Sequence, residues 1–77
     1  MVPRNRLREL REEHGIVQQE VSVKGQISGG TLVAIERYGL YPSEETREKL
    51  AETLTILIGH VISVDDIWPP EGVENGN

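Results

Sequence analysis

Two glutamines and a serine carry the polar groups in this chain that could hold another molecule. Gln18 and Gln19 stand where a short helix begins, so their amides and the free backbone N–H groups of that helix can contact an anion such as a phosphate. For Gln19, a solvated surface amide is an equally good interpretation. Ser28 precedes a second helical pattern and is suited to cap it. These residues therefore offer hydrogen bonds to an anionic surface, not covalent chemistry.

The stretch from Gln18 to Arg37 is predicted to form two short helices separated by a tight turn, with Ile27 filling the angle between them. In the second helix, from about Ser28 to Tyr38, one face at helical spacing is expected to point inward: Thr31, Leu32, Ile35 and Tyr38. The opposite face presents Gly29, Gly30, Val33, Ala34 and Arg37. A short helix, a turn and a helix with one buried and one presented face is the geometry that places a helix in the major groove of DNA.

The first of these helices has an alternative. Val21 and Val23 are β-branched and Gly25 is a poor helix former, so the segment VSVKGQIS taken alone also fits a strand and a turn. The helix is preferred because Val21 then meets the core.

This stretch resembles the helix-turn-helix of the lambda-repressor-like family, the Cro, phage-repressor or XRE type. Gln18 stands at the start of the first motif helix, Ser22 at the small-residue site, and Ile27 and Ser28 at the turn hydrophobe and cap. Further matches are Thr31, Leu32, Ile35, Glu36, Arg37, Tyr41, Pro42 and Ser43. The resemblance spans about residues 5–69. It implies an all-α fold, a compact bundle of about five short helices with a central helix-turn-helix, and a prokaryotic or phage DNA-binding transcriptional regulator.

Several positions depart from the family pattern. Val17 stands where a capping residue usually precedes the glutamine. Gly25 replaces a core leucine and Gln26 occupies the place of the turn glycine, so the two look exchanged. Gly29 and Gly30 stand where long polar side chains usually read base edges. We therefore expect weak or shape-based reading of the bases, since glycine cannot make bidentate hydrogen bonds to them.

Charge is unevenly distributed along the chain. The net charge is −5, yet residues 1–37 hold six basic and five acidic side chains, a net of +1, while residues 38–77 carry −6. A DNA-binding domain needs a local positive face rather than a positive total. The residues expected to contact DNA are those of the motif: Gln18, Gln19, Ser28, Gly29, Gly30, Thr31, Val33, Ala34 and Arg37. Possible further phosphate contacts are Arg4, Arg6, Arg8 and Lys24. The alternative for the arginines is a solvated helix face with ion pairs to neighbouring glutamates.

The flanking segments are predicted to be helical as well. Asn5 can cap a first helix to about His14, with Leu7 and Leu10 facing inward, and Gly15 can end it. Ser43 can cap a fourth helix whose apolar stripe is Leu50, Leu54, Leu57, Ile58 and Val61.

The C-terminal third leaves one choice open. Ile56 falls on the outer face of the fourth helix, so it is either an exposed apolar residue or a sign that the helix has ended, and TILIGHVISV also fits a β-strand. Ser63 can cap a final short helix from Val64 to Trp68. Because the chain has no phenylalanine, we expect an aliphatic core completed by Tyr38, Tyr41 and Trp68. Residues 1–70 form one domain in this interpretation, and residues 71–77 a flexible acidic tail.

Composition excludes several classes of protein. The absence of cysteine rules out disulfides and thiolate metal sites and fits a reducing interior, and no apolar run is long enough for a signal peptide or a membrane span, so we expect a cytoplasmic protein. His14 and His60 are far apart in sequence, and no catalytic or metal-ligand constellation is evident. We expect no enzyme activity, cofactor, bound metal or small-molecule substrate.

The expected partners are double-stranded DNA and a second copy of the chain, because one such module buries too little DNA for tight binding. The dimer surface would be the stretch from Ile56 to Ile62. The alternative is a protein-interaction module that keeps the fold but has lost sequence-specific DNA reading. The acidic total and the glycine and valine face of the second motif helix favour that alternative.

Overall fold

A computed structural model describes residues 5–70, and five helices make up the fold of this part of the chain. In chain order they are α1 (Leu7–Glu13), α2 (Gln18–Gly25), α3 (Gly29–Tyr38), α4 (Glu44–Ile58) and α5 (Val64–Ile67). The predicted all-α bundle with a central helix-turn-helix is thereby confirmed, and the segment VSVKGQIS is helical. The N-terminal arm with Arg4 and the tail 71–77 lie outside the described residues.

Three helices begin at the serines that the sequence predicts as caps. The hydroxyls of Ser28, Ser43 and Ser63 accept hydrogen bonds from the backbone N–H groups three residues ahead, at 3.1, 3.3 and 3.2 Å. At α5 the contact is reciprocal, because Asp66 Oδ2 accepts from the backbone N–H of Ser63 at 2.8 Å. These two contacts with Ser63 lower the pKa of the Asp66 carboxyl. Each cap satisfies an N–H group that the helix itself leaves unpaired.

The start of α1 differs slightly from the prediction. Arg6, not Asn5, is the residue next to the helix, but Asn5 Oδ1 accepts from the backbone N–H of Leu7 at 3.0 Å and so acts as a cap. The buried Asn5 amide also donates to the carbonyl oxygen of Ile35 at 3.1 Å. The backbone N–H of Arg6 donates to the carbonyl oxygen of Ile67 at 2.8 Å. The start of α1 is therefore held by hydrogen bonds to both α3 and α5.

The core is aliphatic apart from one tryptophan. Its buried side chains are Leu7, Leu10, Ile16, Val21, Ile27, Leu32, Ile35, Leu50, Ala51, Leu54, Ile62, Ile67 and Trp68. The inward prediction for Leu7, Leu10, Leu32 and Ile35 is confirmed, as is the placement of Ile27 between the two motif helices. Trp68 closes the core from the end of α5.

Two of the three predicted aromatic core residues are outside it. Tyr38 is 74% exposed and Tyr41 65% exposed, so this part of the prediction is wrong. Tyr38 is the last residue of α3, and the chain turns away at Gly39, whose φ is +74°. Tyr41 lies in the following loop, where the Arg47 guanidinium stands 4.4 Å from its ring centroid and Trp68 meets it edge-on. Tyr41 therefore lies against Trp68 at the edge of the core, and Tyr38 lies on the surface.

Helix α4 resolves the open choice in the C-terminal third. It continues through Ile56, which is exposed, and ends at Ile58 because Gly59 adopts a left-handed φ of +97°. No strand is present in residues 5–70, so the strand alternative is wrong. Val61 lies beyond the helix and is 78% exposed, contrary to its predicted place in the apolar stripe. Ile62 takes an inward position in its stead.

None of the helices in residues 5–70 has the length and apolar character that a membrane crossing requires.

Candidate nucleic-acid interface

The predicted outer face of α3 is open to solvent at its start. Gly29 and Gly30 are exposed, and a β-carbon built on either would meet nothing within 4 Å. Val33 and Ala34, one turn further on, are half-buried, and Arg37 at the far end is exposed. The face is therefore low in relief over its first turn and carries a single cation at its last.

The hydroxyl groups at the start of α3 are engaged within the protein. Ser28 Oγ accepts from the backbone N–H of Thr31 at 3.1 Å and lies 2.8 Å from the Thr31 hydroxyl. Both residues were predicted to contact DNA, but their oxygens hold the first turn together. The backbone N–H groups of Gly29 and Gly30 belong to that turn, and it contains no acidic side chain. The exposed donors of the turn are therefore backbone groups.

The start of α2 lacks the side-chain cap, as the sequence predicts. Val17 has no capping oxygen, and Glu20 compensates in part because its carboxylate accepts from the Val17 backbone N–H at 3.0 Å. Gln18 Nε2 donates to Glu36 Oε1 at 3.3 Å, while Gln19 is exposed. The Gln18 amide is thus oriented by α3. Its second N–H and its carbonyl oxygen have no other partner within the part of the chain that the structure describes, so they can bind a ligand.

Glu36 joins three helices. Its two carboxylate oxygens accept from Arg11 Nε and Nη2, each at 2.9 Å, in a bidentate ion pair between α3 and α1. Arg11 Nη1 also donates to the carbonyl oxygen of Ile16 at 2.8 Å. The side chains of Arg11 and Glu36 are only 11% and 5% exposed, and the hydrogen bond to Glu36 raises the pKa of Arg11. The pair fixes α3 against α1 and against the start of α2.

An open cleft of about 210 Å³ lies where α1, α2 and α3 meet. It is lined by Arg8, Arg11, Gln18, Val33, Glu36 and Arg37. Glu36 is neutralised by Arg11, so Arg8 and Arg37 set the sign of the local charge. Arg8 pairs with Glu12 at 3.0 Å, but both side chains are more than half exposed, and such a pair is easily exchanged for another anion. Within residues 5–70, Arg37 makes no ion pair or side-chain hydrogen bond, so its guanidinium is available.

The other predicted phosphate contacts do not line this cleft. Arg6 pairs with Glu9 at 3.1 Å on the surface of α1, and the hydrogen bond from Arg6 lowers the pKa of Glu9. Lys24 is exposed in the last turn of α2. The ion-pair alternative holds for Arg6 and Arg8. Of the predicted cationic contacts within residues 5–70, Arg8 and Arg37 alone line the cleft with Gln18.

Arg11 and Glu36 are not among the residues that the sequence predicts to contact DNA. One signal was available, because Glu36 follows Leu32 by four residues and therefore lies beside the buried stripe of α3. A carboxylate in that position requires a cation to offset its desolvation. The partner itself could not be identified, since Arg11 is one of several arginines on α1.

Comparisons of the chain with known protein families, with curated proteins and with solved structures found no match.

Proposed function

We propose that this protein binds double-stranded DNA as a prokaryotic or phage transcriptional regulator, with α3 entering the major groove. The observation that carries the proposal is the arrangement of the cleft. Arg37, whose guanidinium has no partner among residues 5–70, stands with Arg8 and the oriented Gln18 amide beside the open face of α3. Cations and amide donors grouped in this way match the phosphates that flank a major groove.

The composition of α3 defines what kind of DNA recognition is proposed. Gly29 and Gly30 allow the backbone to come close to the groove wall but provide no side chain to hydrogen-bond a base. Val33 and Ala34 offer apolar contact, for example to a thymine methyl group. Affinity would come mainly from phosphates, and selectivity from the shape and deformability of the DNA.

Two copies of the chain would bind a two-fold site in this proposal. The dimer surface is revised from the predicted stretch, because Ile62 is buried in the core of its own chain. Ile56 and Val61 are the exposed apolar residues that remain, with 56% and 78% of their surface open. They flank the end of α4, where Leu57 and Ile58 are half-buried.

The decisive experiment is a selection of bound fragments from mixed genomic DNA with purified protein, followed by affinity measurements at several salt concentrations. We expect enrichment of a two-fold sequence class and an affinity that falls steeply with salt. Arg37→Gln should weaken binding on all sequences and reduce the slope of log affinity against log salt by about 1. Lys49→Gln removes the same charge from α4 and should leave that slope unchanged.

A second function is favoured by one observation. Tyr38, Leu40 and Tyr41 are all exposed around the end of α3, and tyrosine is enriched in protein interfaces. We propose as the alternative a protein-interaction module that docks through this surface and the adjoining α3 face. Absence of any retained DNA at low salt, together with a complex that Tyr38→Ala and Tyr41→Ala dissociate, would favour this alternative over DNA binding.

A further inference from the structure

The fold brings together the only two histidines of the chain, although they are far apart in the sequence. His14 follows α1, and His60 follows the glycine that ends α4. Their ring centroids are 5.9 Å apart, with the ring planes at 62°. Both residues are exposed. The pair does not line the cleft beside α3 and has no role in the proposed DNA contact.

The ring of His14 is oriented by the backbone. Its Nδ1 lies 2.9 Å from the carbonyl oxygen of Leu10. A carbonyl oxygen only accepts, so Nδ1 carries the hydrogen and the lone pair of the neutral ring is on Nε2. A hydrogen bond from one ring nitrogen to a backbone carbonyl is the arrangement that fixes the tautomer of metal-binding histidines and raises their basicity.

The segment that carries His60 is fixed at both ends. Gly59 closes α4, and the backbone N–H of the buried Ile62 donates to Thr55 Oγ1 at 2.8 Å. The backbone thus presents His60 beside His14.

We propose that His14 and His60 form a two-imidazole site for a divalent ion of the Zn²⁺, Ni²⁺ or Cu²⁺ class, with water completing the coordination. Two imidazoles on one tetrahedral ion, each nitrogen about 2 Å from the metal, place the ring centroids roughly 5 Å apart. A small rotation of two exposed side chains closes the difference from the observed separation. Imidazole ligands select these ions over Mg²⁺ and Ca²⁺, which prefer oxygen.

The site has a definite consequence for the fold. Within residues 5–70 no group of three or more ligating side chains is present, so two protein ligands give a modest affinity. The bound ion would clamp the end of α1 to the loop after α4. Because the two histidines are far apart in the unfolded chain, the ion binds the folded state preferentially, and the stabilisation grows with the logarithm of the ion concentration above its dissociation constant.

The test is thermal unfolding of the full chain, without an affinity tag, at increasing Ni²⁺ or Zn²⁺ and with Mg²⁺ as control. We expect a rise in melting temperature of roughly 5–10 °C at about tenfold excess of ion over its dissociation constant, continuing with the logarithm of the ion concentration above it, and no rise with Mg²⁺. His14→Gln and His60→Gln should each abolish the rise. Electron paramagnetic resonance of the Cu²⁺ form should show two coupled imidazole nitrogens, reduced to one by either substitution.

Three results would overturn the inference. The first is a melting temperature that does not respond to Ni²⁺, Zn²⁺ or Cu²⁺. The second is an unchanged response in the double variant of His14 and His60, which would place the ion elsewhere on the chain. The third is a metal response that appears only with dimer formation in analytical ultracentrifugation, since the two ligands would then come from different copies. His60→Gln alters only an exposed loop side chain, so at least one variant is expected to fold.

Discussion

Glycines at two points of the motif formed by α2 and α3 stand in opposite surroundings. Gly25, the last residue of α2, is buried, and a β-carbon on it would lie 2.7 Å from Thr53 Oγ1 and 3.2 Å from Ile27 Cδ1. Gly29 and Gly30, the first residues of α3, would bring a β-carbon into open space. The first glycine is required by packing, because it lets α4 approach α2 closely. The other two are required by neither packing nor a positive φ.

The fold explains Gly25, whereas Gly29 and Gly30 have no role in the fold. Gly25 is explained once Thr53 is known to lie against it, and no ligand need be invoked. Gly29 and Gly30 carry ordinary helical dihedrals at a helix start, where alanine would serve the fold better. Their presence at the most open part of α3 is consistent with a partner that approaches the backbone closely.

The largest effect is expected for Gly25→Leu, the side chain that the lambda-repressor-like family pattern places at this position. A leucine must displace Thr53 or shift α4, and overpacking of this kind costs about 3 kcal/mol of unfolding free energy. Urea unfolding followed by circular dichroism measures it. Gly30→Leu is the matched control and should change stability by less than about 1 kcal/mol. Equal losses in the two variants would show that Gly25 is not in contact with α4.

The next effect isolates the contact itself. Gly25→Ala places a β-carbon against Thr53 Oγ1 and should cost about 1–2 kcal/mol, after the better helix propensity of alanine is included. Thr53→Ala removes the atom that it meets, so the double variant should be more stable than the sum of the two singles by about 1 kcal/mol. The coupling is measured in a double-mutant cycle by urea unfolding, and a coupling near zero would contradict the close approach.

The Gly25 and Gln26 positions show where sequence reasoning stops. Their apparent exchange relative to the family is visible in the sequence, but its cause is not, because Thr53 belongs to a helix much further along the chain. The structure shows the exchange to be workable. Gln26 takes the left-handed conformation with φ of 55° that a glycine would adopt more cheaply, and Gly25 makes room for α4.

The helices and their capped starts were predictable because both depend on local sequence. The serine caps and the buried positions Leu32 and Ile35 follow from periodicity and hydrogen-bonding chemistry within a few residues. The Arg11–Glu36 pair and the His14–His60 pair were not predictable, since each joins side chains from separate helices or loops. Tyr38 and Val61, at or just beyond the ends of α3 and α4, are exposed although the sequence predicts them to face inward. The reason is the same, because the direction in which the chain leaves each helix is determined by the tertiary structure.

Ser28→Ala should have the next smaller effect on stability, and it tests the open start of α3 at Gly29 and Gly30. It removes the cap in front of Gly29 and should cost about 1 kcal/mol of unfolding free energy. Ser43→Ala removes the equivalent cap of α4 and is the matched control, with a similar cost. If the proposed DNA contact is correct, only Ser28→Ala should also weaken retention of DNA, because it loosens the first turn of α3. Equal DNA retention in the two variants would contradict a role for that turn.

The smallest expected effect on stability is that of Gly30→Ala, and it is the most informative about function. The added methyl group meets nothing within 4 Å and reduces the freedom of the unfolded chain, so the variant should gain about 0.5 kcal/mol of unfolding free energy. Gly25→Ala should instead lower the free energy of unfolding. Two urea titrations therefore test whether alanine has opposite effects on stability at the two positions. If α3 lies against DNA, Gly30→Ala should weaken DNA binding while it stabilises the protein, because the methyl group holds the backbone away from the groove. A variant that gains stability and binds DNA as before would leave Gly30 without a role in contact, and the interface would then have to rest on Arg37 and Gln18.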